Sequence, residues 1–322
     1  MQPVGHGEVA VTGHGTGGRQ IVAGVDGSAV AEAAARWAAA VAAQWNVPLR
    51  LVHVLPQAPV FYGVPAPVRD IEAHRVLGDA ALARAADIIR GEQPAAAIEC
   101  TTMTGPTPAD VLLDVASSAS MVAIGSSCAG PVEGYLNATA LRLAHHAECP
   151  VTVWRQATGP AVPDRWPVIV GVDGSEISIA AVRWACSFAE SFAVPVVAVH
   201  TWTGVAPQGD SHRHEYPVEA AESVLLAESV AGCRTEYPDV TIEQVTERGT
   251  PADALLARCR QAQLLVVGSH GRGALGRALL GSTSQDMLHR APCPVTICRP
   301  DTIPAPPHTD APSVPTDSRR TP

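Results

Sequence analysis

The chain contains the same sequence pattern twice, and this internal repeat constrains its fold more than any other feature. The run Ile21–Ser28 returns as Val168–Ser175 after a spacing of 147 residues. Near the end of each copy, Cys149–Val153 returns as Cys293–Ile297 at a spacing of 144. The two spacings differ by only three residues, and small insertions and deletions in loops account for this difference. The repeat therefore predicts two copies of one domain.

We predict five segments along the 322 residues. The first copy spans 20–155 and the second spans 167–299, with a Pro- and Gly-bearing linker at 156–166. A Gly-rich stretch at 1–19 precedes the copies, and a stretch with seven prolines at 300–322 follows them. Both of these compositions are typical of disordered tails.

Strand and helix patterns alternate in each copy. Each begins with a β-branched run that ends in Asp-Gly, and the following Ser28 or Ser175 is a predicted helix N-cap. Thr107–Asp110 and Thr250–Asp253 each read as a capping box with proline at the first helical position. The predicted strands cover 21–25, 49–55, 96–102, 121–125 and 151–154, and then 168–172, 196–201, 240–246, 264–268 and 295–298. This alternation predicts an α/β fold of two doubly wound, five-stranded parallel-sheet domains in tandem.

Composition excludes several classes of protein. A net charge of −9 argues against binding nucleic acid through overall charge. The sequence holds no apolar run of about 18 residues, which excludes a transmembrane helix, and its N-terminus lacks the apolar core of a signal peptide. We therefore expect a cytoplasmic protein without a membrane partner. The eight cysteines form no C-x-x-C pair and are interpreted as small buried hydrophobic residues.

A glycine-rich segment follows the fourth strand of the second copy. Residues 268–281 contain five glycines, and Gly281-Ser282-Thr283 then begins a predicted helix. Glycine permits the close backbone approach that a phosphate cradle needs, and the free N–H groups at a helix N-terminus favour an anion. His270, Arg272 and Arg277 add polar or positive side chains nearby. The segment predicts a phosphate-binding loop.

Two common phosphate motifs fit this loop poorly. Residues 271–276 match G-x-G-x-x-G in form, but they follow the fourth strand and not the first. The same stretch imitates a P-loop, yet Arg277-Ala278 stands where Lys-Ser or Lys-Thr is required. Both readings remain minor alternatives. A metal site at the histidines of 211–214 is a further minor alternative, and a solvated loop explains them better.

A different spacing fits better. Gly268-x-x-Gly271 is followed after nine residues by Gly281-Ser282, which resembles the G-2x-G-9x-G-[S/T] pattern of nucleotide-binding universal stress proteins. The Gly-Val-Asp-Gly-Ser turn, the histidine that ends the second strand and the Cys-Pro-Val-Thr strand are also similar to that family. The resemblance implies a Rossmann-like, adenine nucleotide alpha hydrolase-like fold, a role in stress response and bound ATP accompanied by Mg²⁺.

The resemblance also implies how ATP would lie in the second copy. Gly171 and Val172 would line the adenine pocket with Thr201 and Val267 nearby, and Asp173 would contact the ribose. The remaining residues would surround the phosphates: Gly268, His270, Gly271, Arg272, Gly281, Ser282 and Thr283. None of these residues is assigned a catalytic or metal-ligating role.

The first copy departs from the pattern. Cys128 replaces the second glycine, Asn137-Ala138 stands where Gly281-Ser282 does, and Glu133 adds negative charge. Asp26 is kept. We predict that the first copy binds ATP weakly or not at all.

Three functions remain open at this stage. The favoured one is an ATP-binding regulatory module, at most with slow ATP hydrolysis. The alternatives are a nucleotide-free interaction scaffold and an ATP-using enzyme, for which no catalytic constellation is visible. The apolar fifth strands are exposed-edge candidates, and the resemblance implies that they pair antiparallel, so that the chain is a covalent pseudo-dimer. We further expect whole chains to form a homodimer with unidentified protein partners.

Overall fold

The computed structural model describes residues 20–57, 60–61, 64–65, 71–126, 138–155, 165–203, 215–271 and 280–299. The predicted tails and most of the predicted linker lie outside these ranges. Domain 1 (residues 20–155) contains β1 (Gln20–Gly24), α1 (Ala29–Gln44), β2 (Leu49–Pro56), β3 (Val60–Phe61), β4 (Val64–Pro65), α2 (Ile71–Glu92), β5 (Ile98–Gly105), α3 (Pro108–Ala116), β6 (Ala119–Ser126), α4 (Ala138–His146) and β7 (Val151–Arg155). Domain 2 (residues 167–299) contains β8 (Val168–Val172), α5 (Glu176–Phe192), β9 (Val196–Trp202), α6 (Glu215–Glu236), β10 (Ile242–Arg248), α7 (Pro251–Cys259), β11 (Leu264–Gly268), α8 (Ser282–Arg290) and β12 (Val295–Cys298).

Ten strands form one continuous sheet in the order β10-β9-β8-β11-β12-β7-β6-β1-β2-β5. Within each domain every neighbouring pair is parallel, and the spatial order of the five strands is 3-2-1-4-5. The predicted doubly wound, five-stranded domains in tandem are therefore confirmed. The short antiparallel β3–β4 pair lies in the segment after β2, where the sequence indicated only a loop.

The sequence signals for helix starts are also confirmed. Ser28 and Ser175 each accept a hydrogen bond from the backbone N–H three residues on, at 3.2 Å. Thr107 and Thr250 cap α3 and α7 in the same way, also at 3.2 Å. Each cap satisfies an N–H that has no partner within its helix. The caps fix where the helices leave the carboxyl edge of the sheet.

The two domains meet through their fifth strands. β7 and β12 pair antiparallel, with Val153 opposite Val295, which confirms the predicted pseudo-dimer. At the centre of this pair, the hydroxyls of Thr152 and Thr296 are hydrogen-bonded at 2.8 Å and fully buried. The pairing removes both edges from solvent, where each would template association with another chain.

Aromatic residues are scarce, and many of them pack at this junction. Trp37 of α1 stacks on Phe188 of α5 with ring centroids 6.0 Å apart, and Trp45 meets Trp184 edge to face at 6.1 Å. The Trp45 indole N–H also donates to Ser191 Oγ at 3.1 Å. Elsewhere the cores consist mainly of Ala, Val, Leu and Ile. The large rings therefore reinforce the contact between the domains.

The cysteine interpretation is correct for six of the seven described cysteines, which are buried, and wrong for Cys100, which is exposed on β5. Burial raises the pKa of the Cys149 thiol to about 12, and it raises the pKa of Cys298 as well. These thiols are poor nucleophiles as a result. Among the described helices, none combines the length and the apolar character needed to cross a bilayer.

Candidate functional site

A cavity of about 550 Å³ opens at the carboxyl edge of the domain 2 sheet. It lies at the ends of the paired strands β8 and β11, where the winding direction of the sheet changes, because β9 follows β8 on one side and β12 follows β11 on the other. Such a crevice is the usual ligand position in a doubly wound sheet, and its volume is typical of small-molecule sites. It is lined by Gly171, Val172, Asp173, Ser178, Val199, Thr201, Pro251, Leu255, Val267, Gly268, His270, Gly271, Gly281, Ser282, Thr283 and Ser284.

The turn after β8 holds Asp173 at the cavity wall. Its Oδ1 accepts hydrogen bonds from the Ser175 backbone N–H at 3.0 Å and from Ser175 Oγ at 2.6 Å. Gly174 between them has φ +78°, a left-handed conformation that glycine adopts without strain. Asp173 Oδ2 points toward the glycine loop, since a Cβ added at Gly271 would lie only 2.3 Å from it.

His200 stabilises the end of β8, directly before this turn. Its Nδ1 donates to the Val172 carbonyl at 2.8 Å, and its Nε2 lies 2.8 Å from Glu222 Oε2 on α6. The ring is almost completely buried. A buried polar group needs a partner at each polar atom, and here both nitrogens have one. The histidine thus ties the end of β8 to α6, next to the backbone predicted to face adenine.

The described part of the glycine loop is closed by backbone hydrogen bonds. The Ser269 N–H donates to the Cys298 carbonyl, and the Gly281 N–H donates to the Ser269 carbonyl, both at 2.7 Å. Ser284 Oγ donates to the Gly268 carbonyl at 2.6 Å. These bonds fix the start of α8 directly beside the end of β11. A Cβ at Gly281 would come within 3.2 Å of His270 Cα, so the two backbones approach closely there.

The N-terminus of α8 faces the cavity. Gly281 is its N-cap and provides no side-chain hydrogen bond, so no cap side chain covers this end of the helix. Ser282 and Thr283 follow as cavity-lining residues with hydroxyl donors. Free N–H groups and the positive end of a helix dipole attract phosphate oxygens. The arrangement offers a neutral, donor-rich surface to an anion at one end of the cavity.

The structure brings together eleven of the twelve predicted site residues around this cavity, and Arg272 lies outside the described residues. Their role in binding ATP stays a prediction. Sequence reasoning missed five lining residues: Ser178, Val199, Pro251, Leu255 and Ser284. Helical periodicity places Ser178 one turn after the Ser175 cap, and strand alternation places Val199 two residues before Thr201. The sequence could therefore have predicted these two lining residues. The Leu255 contact depends on α7 packing, which only the fold shows.

Comparison with known proteins assigns the chain to a family. Its sequence matches the universal stress protein family over residues 18–155 and again over residues 167–299. The chain belongs to the universal stress protein family. A universal stress protein of Mycolicibacterium smegmatis is 36% identical over 290 residues, which cover 87% of this chain and 97% of that protein. One from Mycobacterium tuberculosis is 35% identical over 289 residues, covering 87% and 96%.

Solved structures agree at the level of the fold. The crystal structure of a universal stress protein from Archaeoglobus fulgidus superposes with a TM-score of 0.62 at 18% identity, covering 87% of this chain and 98% of that one. The universal stress fold is thus present twice along the chain, as the sequence repeat indicates.

The corresponding edge of domain 1 differs from the site in domain 2. The described part of its loop stops at Ser126, one residue after Gly125, and Cys128, Glu133 and Asn137 lie outside the described residues. A Cβ at Gly125 would lie 2.5 Å from the backbone N of Ala31, so the end of β6 rests directly on the first turn of α1. Asp26 nevertheless forms the same turn as Asp173, since its Oδ1 accepts from the Ser28 N–H at 2.9 Å.

Among the described residues, no group of three or more His, Cys, Asp or Glu side chains is arranged to hold a metal ion. The histidines at 211–214 lie outside these residues. In the described cavity wall Asp173 is the one carboxylate.

Proposed function

We propose that this universal stress protein binds one ATP in domain 2 and acts as a regulatory module in stress response. The single observation that carries the proposal is the cavity itself. Its wall combines apolar side chains such as Val172, Val199 and Leu255 with the Gly268–Gly271 backbone and the start of α8. This combination suits a ligand that carries both an apolar base and phosphates.

Asp173 lies in the cavity wall with its carboxylate near Gly271, in a position suited to a ribose hydroxyl. With Oδ1 used in the turn, Oδ2 is the atom directed toward the loop. Hydrogen bonds to a charged acceptor are stronger than neutral ones. The carboxylate would therefore fix the sugar between base and phosphates.

The walls fit a triphosphate because backbone and not side chains forms the cradle. A methyl group at Gly271 would overlap Asp173, and one at Gly281 would crowd His270. Mg²⁺ would accompany ATP and neutralise part of its charge, and the Ser282 and Thr283 hydroxyls, which line the cavity, would be available to hold it. Magnesium commonly binds in this way, through substrate phosphates and retained water.

Isothermal titration calorimetry of the full chain with ATP and Mg²⁺ tests the proposal. We expect saturable binding with one ATP per chain, and nucleotide released by heat from the purified protein should be identified by mass as an adenine nucleotide. Two ATP per chain would show that domain 1 also binds. If the titration gives no heat of binding and the purified protein releases no nucleotide, the scaffold alternative is favoured.

Two further expectations depend on separate measurements. Multi-turnover release of phosphate from ATP would indicate hydrolysis beyond a slow leak. Light scattering at several protein concentrations would show whether whole chains form the expected homodimer.

A further inference from the structure

We propose that Arg155 of domain 1 is a positioning residue for the phosphate-binding helix α8 of domain 2. This inference rests on the proposed function and adds to it a role for domain 1 that needs no nucleotide of its own. Arg155 ends β7, the strand that pairs with β12 across the domain junction. It therefore lies close to α8 although it belongs to the other domain.

The contact is a hydrogen bond to the C-terminal turn of α8. Arg155 Nη1 donates to the Leu288 carbonyl at 3.1 Å, in a partly buried position. In a continuing helix that carbonyl would accept from the N–H of the residue four positions on. That residue is Pro292, which has no N–H to give. The guanidinium from domain 1 supplies the donor that the chain of α8 lacks.

Domain 2 makes a similar arginine contact to the last helix of domain 1. Arg299, which lies 144 residues after Arg155, donates through Nη1 to the His145 carbonyl in the last turn of α4. The two accepted carbonyls differ by one position in the repeat, because His145 corresponds to His289 and not to Leu288. Each domain thus supports the C-terminus of the last helix of the other. Only α8, however, begins at the proposed phosphate site.

Helix α8 is short, so a change at its C-terminus affects the position of its N-terminus. Its nine residues span roughly 13 Å at the usual helical rise. At its N-terminus, Ser284 Oγ and the Gly281 N–H anchor it to the loop after β11. At its C-terminus, a cation near the last carbonyls stabilises the helix dipole. Loss of the Arg155 contact would loosen the helix and disperse the N–H groups that face the phosphates.

The test compares Arg155→Met with Arg299→Met in the full chain, by calorimetric titration with ATP and, separately, with adenosine. Both changes remove the same kind of inter-domain hydrogen bond, but only Arg155 acts on α8. We expect Arg155→Met to weaken ATP binding about three- to fivefold. Adenosine affinity should stay unchanged, because adenosine has no phosphate to meet α8. Arg299→Met should leave both affinities unchanged, and Arg155→Lys should recover part of the loss.

Distinct outcomes overturn the inference. Unchanged ATP affinity in Arg155→Met, or equal weakening of ATP and adenosine, would mean that Arg155 has no specific role in phosphate binding. An equal loss in Arg299→Met would point to general stability of the junction. If Arg155→Met does not fold, Arg155→Lys takes its place and must show a smaller loss confined to ATP. Wild-type protein that binds neither ligand would refute the proposed function as well, whereas wild-type binding with an unaffected variant refutes this inference alone.

Discussion

The carboxyl edges of the two domains have the same turns but different spacing between elements. At Gly268 in domain 2, an added Cβ would meet the Cγ2 methyl group of Ile177 at 2.7 Å. At Gly125 in domain 1, it would meet the main chain of Val30 and Ala31 at 2.5 Å. A side chain therefore separates strand from helix in domain 2, while backbone rests on backbone in domain 1. Conservation of a turn does not ensure conservation of the crevice beside it.

A second difference between the domains concerns the histidine that binds the end of the first strand of each domain. His53 donates from Nδ1 to the Val25 carbonyl at 2.7 Å, as His200 does to Val172. α2 and α6 are both 22 residues long and start 144 residues apart, so Gly78 occupies the position of Glu222. Gly78 packs so close to His53 that a Cβ would lie 2.2 Å from its Cδ2. In domain 2 the histidine is joined to a helix by a hydrogen-bond contact with Glu222, and in domain 1 it packs directly against Gly78 of the helix.

The largest expected effect is loss of ATP binding in the double variant Gly268→Ala/Gly271→Ala. The methyl groups would meet Ile177 at 2.7 Å and Asp173 Oδ2 at 2.3 Å, forcing the loop away from α5 and displacing the carboxylate at the proposed site. Calorimetry should detect no ATP binding by the variant, whereas we expect the wild-type chain to bind one ATP. Retained one-to-one binding would mean that the site lies in domain 1 and would reverse the comparison between the domains.

The next effect concerns stability. Gly125→Ala should lower the free energy of unfolding by about 3 kcal/mol, because the methyl group meets main chain that cannot rotate away. Gly91→Ala is the matched control, since nothing lies within 4 Å of its added Cβ and alanine favours the helix. Chemical denaturation measures both variants. Equal stability of the two would show that β6 and α1 of domain 1 are not in tight contact.

Removal of the charged partner of His200 should have a smaller effect. Glu222→Ala leaves the buried Nε2 without its acceptor, which should cost about 2 kcal/mol of unfolding free energy. Glu219→Ala, at an exposed position one turn earlier on α6, should change stability by less than about 0.5 kcal/mol. Denaturation at constant pH compares them. If both variants match wild type, the histidine–glutamate contact is not part of what distinguishes domain 2.

Sequence patterns predicted the fold closely where local rules decide. Capped helices, β-branched strands and the repeat gave strands such as Val168–Val172 and Leu264–Gly268 at their observed bounds. The third strands were displaced: β5 was expected at 96–102 and begins at Ile98, because its pairing with β2 sets the register. Pairing partners come from the whole sheet and are absent from local periodicity.

The sequence predicted the glycines of the candidate site but not the long-range contacts that support it. Gly268, Gly271 and Gly281 are recognisable because close backbone approach requires glycine, and the structure places all three at the cavity. The Glu222 partner of His200 was missed, since the two lie 22 residues apart in different elements. Arg155 was missed for the same reason, as its acceptor is 133 residues away in the other domain. Contacts of this kind follow from packing, which spacing alone does not encode.

The smallest expected effect separates the two aspartates, which share one turn geometry. Asp173→Asn should weaken ATP binding about tenfold, because the amide keeps an Oδ1 acceptor for Ser175 but loses the charge on the atom proposed to bind the ribose. Asp26→Asn is the matched control, since its Oδ1 makes the same bonds to Ser28 at 2.9 and 2.6 Å, and it should leave ATP affinity unchanged. Calorimetry on both variants, with thermal unfolding to verify that the turns persist, gives the comparison. Equal weakening in both would mean that domain 1 contributes to the nucleotide site after all. No change in either would remove the carboxylate from the proposed contact and leave the glycine loop and α8 as the binding elements.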